Sequence, residues 1–203
     1  MKKILLSITM IRHSSLGAPW VALLGCFLVS LSLAQAQIAD RPKVAPEQHQ
    51  LAMFVGEWSY EGTAKDTVLG PGGHLVGHQT VRFTMDGLFL ESRAHEKNVL
   101  GGKEVTWEGF WMWWYDAAAK QYKSQGFDNE GLVSSGTLTV AGTTWTFKGG
   151  SISIGAKGLK LLNRVTTSFS TDGMTQTNKC EFSLDHGKTW SVLWEMIAKK
   201  TKD

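Results

Sequence analysis

The chain has 203 residues, a formal net charge of +3 and 42% apolar residues, enough for one domain with a single hydrophobic core. The positive excess lies near the N-terminus: without Lys2, Lys3 and Arg12, the basic residues fall from 21 to 18 and equal the 18 acidic ones. A neutral remainder gives no electrostatic reason to bind nucleic acid or an anionic membrane, which excludes both as expected partners.

The first 36 residues have the composition of a secretory signal peptide. Basic residues precede an apolar stretch at 18–33, which ends in the small-x-small pattern Ala34-Gln35-Ala36 that signal peptidase cleaves. That stretch is short for a membrane span, which needs about 20 apolar residues. We predict cleavage after Ala36, a periplasmic or secreted mature protein, and no stable membrane insertion after cleavage.

Two alternatives for this leader remain open. Leu23-Leu24-Gly25-Cys26 resembles the box at which bacterial lipoproteins are cleaved, and Cys26 would then carry the lipid anchor. The apolar segment continues past Cys26, however, whereas a lipid-bearing cysteine is normally followed by a polar tether. Met10, as an alternative to Met1, would give a leader of more ordinary length. Cleavage after Ala36 leaves Cys180 as the single cysteine, so no internal disulfide is expected.

The mature chain begins with an expected extended lead-in at residues 37–46, which contains Pro42 and Pro46. Residues 47–203 form the predicted domain. Its first segment, 47–55, carries apolar residues at helix-compatible positions directly after Pro46, a residue that suits a first helical turn. Such a helix would plug one end of a barrel.

From Trp58 onward, about ten short stretches with strand character alternate with turn signals. Regular spacing of this kind predicts an antiparallel meander, and closing the sheet removes its exposed edges. The fold class is therefore all-β: a single antiparallel up-and-down β-barrel of about ten strands with a short N-terminal helix plugging one end. The turn signals are Gly70–Gly73, Asp86-Gly87, Gly101-Gly102, Asp116–Ala119, Asp128–Gly131, Ala141-Gly142, Gly149-Gly150, Thr171–Gly173 and Asp185–Gly187.

Alternation along the strands predicts which side chains face inward. One C-terminal face carries Met174, Gln176, Asn178, Cys180, Phe182 and Leu184, and the next strand places Trp190, Val192, Trp194 and Met196 together. The stretch 107–115 is apolar on both faces, so it should be covered inside by the barrel and outside by a further surface such as a second subunit. Trp107, Trp111, Trp113 and Tyr115 share one of its faces, and Phe110, Met112 and Trp114 share the other.

Gly56-Glu57-Trp58, between a short helix and a strand meander, resembles the opening of the calycin superfamily, which includes lipocalins, fatty-acid-binding proteins and haem-binding nitrobindins. The chain is also similar to a family of bacterial exported lipocalin-like domains of unknown function. The segments that carry this similarity are 54–58, 145–147, 171–174 and 183–190.

The resemblance implies a structural role for Trp58. In calycins this tryptophan closes one barrel end beneath a basic residue of the last strand, which would be Lys199 or Lys200 in cation–π contact. Nitrobindin-like haem sites use a histidine on a late strand, but Ser191–Lys200 contains none. No cofactor is predicted, and a haem-dependent enzyme remains the weakest alternative.

Candidate catalytic and metal motifs do not assemble into a site. His74 and His78 share a face and could begin a metal site with His95 or Glu91, but both could equally be solvated surface residues. No Gly-x-Ser-x-Gly elbow is present, and Cys180 is expected to be a buried small hydrophobe. We therefore predict no catalytic residue, no metal site and no enzymatic activity.

Residues 183–190 fit the Asp-box pattern, Ser-x-Asp-x-Gly-x-Thr-Trp. A single copy does not make a propeller, whose blades repeat. We expect a folded turn in which Asp185 and Thr189 bond turn amides while Trp190 packs inward.

The predicted function is binding of a small apolar or amphipathic molecule inside the barrel. Amides on an otherwise apolar inner face are typical of small-molecule pockets, although they could also bond one another or buried water. The alternative is a filled barrel that acts as a homodimer or interaction protein through aromatic residues around Trp113 and Trp114. The candidate ligand-binding residues are Tyr60, Trp111, Trp113, Gln176, Asn178 and Trp194.

Overall fold

A computed structural model describes residues 43–150, 152–154 and 159–201. The predicted signal peptide at 1–36, including Cys26, and the lead-in residues 37–42 lie outside the described residues. No helix within the described ranges is both long enough and apolar enough to span a membrane.

The described chain consists almost entirely of antiparallel strands. A 3₁₀ helix at Pro46–Phe54 precedes them, and Met85–Gly87 form a short 3₁₀ turn. The strands are β1 (Gly56–Ala64), β2 (Gly73–Thr84), β3 (Phe89–Leu100), β4 (Lys103–Asp116), β5 (Gln121–Asp128), β6 (Val133–Ala141), β7 (Thr144–Gly149), β8 (Ile152–Ile154), β9 (Leu159–Phe169), β10 (Thr175–Ser183) and β11 (Ser191–Lys200).

The sheet closes into a barrel because β10 pairs with both β9 and β11. Strands β7 and β8 share one position in the ring: β7 pairs with the later part of β9, and β8 with its first residues, Leu159–Leu161. The ring therefore has ten positions, each antiparallel to its neighbours. The predicted all-β, antiparallel, up-and-down barrel of about ten strands is confirmed.

The N-terminal helix packs its apolar side chains against aromatic residues of the strands. Phe54 lies among three aromatic rings of the strands, with centroids 5.1 Å from Trp113, 5.4 Å from Trp145 and 4.9 Å from Phe169. Leu51 is completely buried in the same cluster. The helix begins at Pro46, in agreement with the prediction that proline occupies its first turn. It is a 3₁₀ helix.

Polar contacts attach this helix to the strands as well. The Gln48 side-chain oxygen accepts a 2.7 Å hydrogen bond from the backbone N–H of Tyr115, and the Tyr122 hydroxyl donates to the Glu47 carbonyl at 2.8 Å. Both bonds satisfy groups that would otherwise be buried without partners.

The Gly-x-Trp segment contacts both the N-terminal helix and the last strand. Trp58 is 1% exposed, its indole N–H donates to the Phe54 carbonyl at 2.8 Å, and Lys200 Nζ lies 5.5 Å from its ring centroid. Strand pairing places Lys200 directly opposite Trp58, so of the two predicted lysines Lys200 is the partner. Gly56 has φ +138°, and a Cβ there would overlap Lys200 Cε.

The predicted assignment of inward-facing residues is wrong for the first residues of β11. Cys180 pairs with Trp194 but Glu181 pairs with Val192, so Leu193 is an extra residue that forms a β-bulge. A bulge reverses the alternation, so Trp194 lines the barrel interior while Val192 is paired with the outward-facing Glu181. Trp190 also lies outside, where the Arg164 guanidinium is 4.2 Å from its ring centroid.

Replacing Gly56 with alanine should destabilise the barrel by about 1–3 kcal/mol, because the backbone conformation disfavours a side chain and Lys200 occupies the space. Urea unfolding of residues 37–203 measures the effect. Gly70→Ala is the matched control, since no atom lies within 4 Å of a Cβ there, and it should change stability by less than about 0.5 kcal/mol. Equal losses in both variants would contradict the assigned role of Gly56.

Candidate functional site

A cavity of about 440 Å³ occupies the barrel interior beyond the aromatic cluster at the helix end. Its volume falls within the usual range for small-molecule sites, about 300–1,000 Å³. It extends toward the opposite end, where Leu69 and Leu132 from connecting segments and Leu161 and Phe182 from the strands gather. Side chains therefore leave part of the interior open. The alternative interpretation of the sequence expected a completely filled barrel.

All six predicted ligand-binding residues line this cavity: Tyr60, Trp111, Trp113, Gln176, Asn178 and Trp194. Gln176 and Asn178 lie on the same inward face of β10, as the alternation predicts. Whether these residues bind a ligand remains a prediction.

Trp111 lies flat against the barrel wall because two neighbouring positions are glycine. A Cβ at Gly109 or Gly126 would overlap its indole ring, and Gly126 is its direct partner on β5. Tyr60 has a similar relation to Gly77, where a Cβ would come within 2.8 Å of its hydroxyl oxygen. Glycines thus let large rings form a wall without filling the space that they enclose.

Glu96 is the unexpected member of the lining. It is 9% exposed and lies on the inward face of β3. Its Oε1 accepts a 2.8 Å hydrogen bond from the Tyr60 hydroxyl, and its Oε2 accepts a 2.6 Å hydrogen bond from Asn98 Nδ2. Within the described part of the chain, no cation forms an ion pair with this carboxylate.

Burial raises the pKa of both titratable groups of this cluster, the Glu96 carboxyl and the Tyr60 hydroxyl. Removal from water raises the pKa of Glu96, and the hydrogen bonds from Asn98 and Tyr60 only partly oppose the effect. Burial also raises the pKa of Tyr60 well above its ordinary value, and the nearby Glu96 charge adds to the increase. Tyr60 therefore stays protonated at physiological pH and donates its hydrogen bond to Glu96.

Other polar side chains on the lining are only partly satisfied. Gln79 Nε2 donates to Ser92 Oγ at 2.6 Å, and Thr167 Oγ1 donates to Asn178 Oδ1 at 2.6 Å. Asn163 Oδ1 is buried with no hydrogen-bond partner among the described atoms. A ligand could supply the missing partner, since an unpaired buried polar atom costs about 1–3 kcal/mol.

Glu96, Asn98 and Trp107 are among the lining residues that were not predicted as ligand-binding from the sequence. Alternation along β3 contained the signal, because Leu90, Ser92, Ala94, Glu96 and Asn98 occupy every second position and are all buried. A glutamate in phase with Leu90 and Ala94 must face inward, whereas its neighbours His95 and Lys97 face outward.

The histidines considered as metal ligands lie on the outer surface rather than in the cavity. His78 and His95 are strand partners with ring centroids 5.4 Å apart, but His74 lies opposite Val99. Glu91 binds Arg82 and Arg93 instead. In the described ranges, no group of three or more potential ligands is placed to hold a metal ion. No histidine is among the described lining residues, so the cavity does not fit a histidine-ligated haem.

The Asp-box residues form the expected turn. Asp185 accepts 2.9 Å and 2.6 Å hydrogen bonds from the backbone N–H and hydroxyl of Thr189, and the Ser183 hydroxyl donates to it at 2.8 Å. The Thr189 hydroxyl, followed by these other donors, holds the pKa of Asp185 well below its usual range. Two residues of this segment differ from the prediction: Trp190 was predicted to pack inward but lies outside, and Leu184 was predicted on the inner face but is 42% exposed.

Cys180 is buried, as predicted, and burial raises the pKa of its thiol to about 12. A thiol that stays protonated at physiological pH is a weak nucleophile.

The outer face of β4 carries a second aromatic group. Trp114 packs on Phe89 with centroids 5.8 Å apart, and Phe110 lies between Phe127 at 6.3 Å and the Arg93 guanidinium at 4.7 Å. Side chains of the same chain therefore cover part of this face. Trp113 is not part of it, because its side chain points inward against Phe54.

Comparison with known proteins supports the fold without naming a function. No protein-family model and no curated protein matches the chain. The crystal structure of Rv2717c from M. tuberculosis is similar, with a TM-score of 0.58 and 14% identity over 79% of this chain and 100% of that one. At this identity the likeness shows the β-barrel fold alone.

Two further structures are less similar, and both fall below a TM-score of 0.5. The S-type phycobiliprotein lyase CPES from Guillardia theta has a TM-score of 0.49 and 9% identity, over 77% of this chain and 93% of the lyase. A de novo designed fluorescence-activating β-barrel has a TM-score of 0.39 and 11% identity, over 74% of this chain and 95% of the design. Neither likeness is strong enough to bear on function.

The raised pKa of Glu96 predicts how stability depends on pH. The folded state holds this proton more tightly than the unfolded state, whose glutamate pKa is about 4.3. The resulting stabilisation is present below that value and is lost as pH rises through the folded pKa. Glu96→Gln should therefore become progressively more stable relative to the natural chain as pH rises from about 4 to about 7.

Urea unfolding at a series of pH values measures this difference. Glu61→Gln, on the exposed face of β1, is the matched control and should show no such trend. A stability difference for Glu96→Gln that is constant with pH would contradict the assigned environment of the carboxylate.

Proposed function

We propose that the chain is an exported, non-enzymatic barrel that binds a small apolar or amphipathic molecule in its central cavity. The observation that carries this proposal is the 440 Å³ interior space with aromatic walls and a small number of polar side chains. Binding sites for small molecules have this composition, because apolar walls supply affinity and a few polar groups fix orientation.

The walls and the polar groups would act on different parts of the ligand. Trp111, Trp113 and Trp194 would cover its apolar body, with about 25 cal/mol gained for each Å² removed from water. Tyr60, Gln176 and Asn178 would orient its polar end. These roles require a non-covalent contact only, and no catalytic group is assigned.

The ligand would enter from the end opposite the N-terminal helix. The helix side chains Leu51 and Phe54 are buried among the rings at their own end, so we infer that the helix acts as a plug there. Among the described residues, the second buried apolar cluster, centred on Leu161 and Phe182, has fewer members than the cluster around the helix.

The proposal includes export and membership of the bacterial exported lipocalin-like family. Its boundaries are a signal peptide at 1–36, an extended lead-in at 37–46 and the barrel domain at 47–203, and its compartment is the periplasm or the exterior. The mass of the mature protein tests this part. A chain that begins at Gln37 is expected, whereas a lipid-modified chain that begins at Cys26 would contradict it.

A cavity-blocking substitution tests the binding site. Ser134 lines the cavity, whereas the next residue, Ser135, is exposed on the outside. Ser134→Trp should fill the cavity and weaken the best binder from a panel of lipids and small metabolites by about tenfold or more. Tryptophan emission of the natural chain identifies that binder, and calorimetry then compares the variants.

Ser135→Trp adds the same side chain to the same strand on its outer face and should bind as the natural chain does. Equal weakening by both substitutions would show that the cavity is not the site. No saturable binder anywhere in the panel would refute the proposed function itself.

A homodimer is the second candidate, supported by the outer aromatic group of β4. Phe127 is 42% exposed beside the half-buried Phe110, and aromatic side chains are common anchors of protein interfaces. Sedimentation equilibrium decides this candidate: a dimer that dissociates on Phe110→Ser substitution is expected, and a monomer at high concentration would contradict it.

A further inference from the structure

The charged side chains of the cavity are all of one sign. Among the described lining residues, Glu96, Asp128 and Glu130 are acidic, and no lysine, arginine or histidine is present. Glu96 lies within the barrel, and the other two lie where β5 ends. Glu130 is exposed and Asp128 is half-buried, so Glu96 is the acid whose charge apolar walls screen poorly, and it gives the interior a negative potential.

We propose that the barrel selects a ligand with a cationic head group, a protonated amine on an apolar body, and holds the cation between the Glu96 carboxylate and the indole rings of Trp107 and Trp111. This inference rests on the proposed function, because it names the class of ligand for the same cavity.

Glu96 retains the capacity to bind a cation. A carboxylate has about four acceptor positions, and the described residues use two of them, Tyr60 on Oε1 and Asn98 on Oε2. Both donors are neutral groups, so they orient the carboxylate without cancelling its charge. Tyr60 and Asn98 are 6% and 4% exposed, which keeps the arrangement rigid before a ligand arrives.

The basic residues nearest to Glu96 along β3 do not serve as the missing partner. Arg93 and Lys97 are close to Glu96 in sequence, but they lie on the opposite face of β3, and Arg93 binds Glu91 at 2.8 Å on the outside. A buried carboxylate without a cation is costly. A cationic ligand would pair with the Glu96 carboxylate and remove the cost of burying it alone. The ligand would therefore bind more tightly than a neutral one of the same shape.

Two tryptophans complete the site. Trp107 is the direct partner of Glu96 on β4, so the two side chains lie side by side on the inner face. The Trp111 ring is 5.5 Å from that of Trp107, at an interplanar angle of 41°. Indole faces attract cations, with about 0.5–2 kcal/mol per contact depending on desolvation. Both rings line the same cavity as Glu96, and in the proposed site they would contact the cation that Glu96 holds.

The same charges disfavour a fatty acid. A bound carboxylate would need a basic or strongly donating group, and in the described lining its nearest charged neighbour inside the barrel would be the Glu96 carboxylate. Like charges close together in a poorly solvated space repel strongly. The cavity therefore distinguishes ligands of equal length by the sign of the head group.

Three probes of equal chain length test this selectivity: decylamine, decanol and decanoate, each titrated by calorimetry near neutral pH, where the amine is protonated and the acid is ionised. We expect decylamine to bind about tenfold or more tighter than decanoate, with decanol between them. Decanol binding without any advantage for decylamine would overturn this inference while leaving the proposed function intact. Failure of all three probes to bind would refute both.

The variant Glu96→Gln keeps the shape of the side chain and removes its charge. It should reduce the ratio of decylamine to decanoate affinity by about tenfold, whereas Glu61→Gln on the outer face should leave that ratio unchanged. The ratio is measured within one protein preparation, so a general loss of stability does not imitate the effect. An unchanged ratio in a folded Glu96→Gln variant, with circular dichroism as the check, would assign the selectivity to another group and overturn the inference.

Discussion

The closure of ten strand positions into one ring is the constraint on which the rest of this structure depends. The diameter of a barrel grows with strand number, and about eight strands enclose a space that their own side chains just fill. Ten positions enclose more. The interior must therefore be filled by an additional element, or part of it must stay open. The chain does both, with the helix side chains Leu51 and Phe54 at one end and a 440 Å³ cavity beyond them.

Glycine placement determines which part stays open. Gly77, Gly109 and Gly126 lie on inward-facing positions, where a side chain would overlap Tyr60 or Trp111. Without side chains at these positions, the rings lie along the wall instead of across the lumen. The same placement brings Tyr60 to the Glu96 carboxylate at 2.8 Å. The packing that keeps the cavity open thus also orients the carboxylate buried within it.

Much of this arrangement could be predicted from the sequence, because period-two alternation is a local property of a strand. Alternation placed Gln176 and Asn178 inside and separated the two aromatic faces of β4. The resemblance to calycins, rather than alternation, implied that Trp58 meets a basic residue of the last strand. It failed at Leu193, where a bulge adds one residue. A bulge depends on how two strands pair, so neither strand carries the signal alone.

Glu96 was missed for a different reason. Charged residues are rarely buried without a partner, so a glutamate is normally assigned to the outer face even when it is in phase with Leu90 and Ala94. In β3 the alternation of buried residues gives the correct face, because Tyr60 and Asn98 on the inner face donate hydrogen bonds to the Glu96 carboxylate. Asn98 is a neighbour of Glu96 along β3, but Tyr60 comes close to Glu96 only when β1, β2 and β3 are paired.

Native mass spectrometry of residues 37–203, purified from the cells that produce the protein, is the most direct measurement. We expect a monomer that carries one small molecule, which leaves on denaturation and ionises as a base. A monomer that remains free of ligand after incubation with an extract of the same cells would contradict the claim that the barrel is a container.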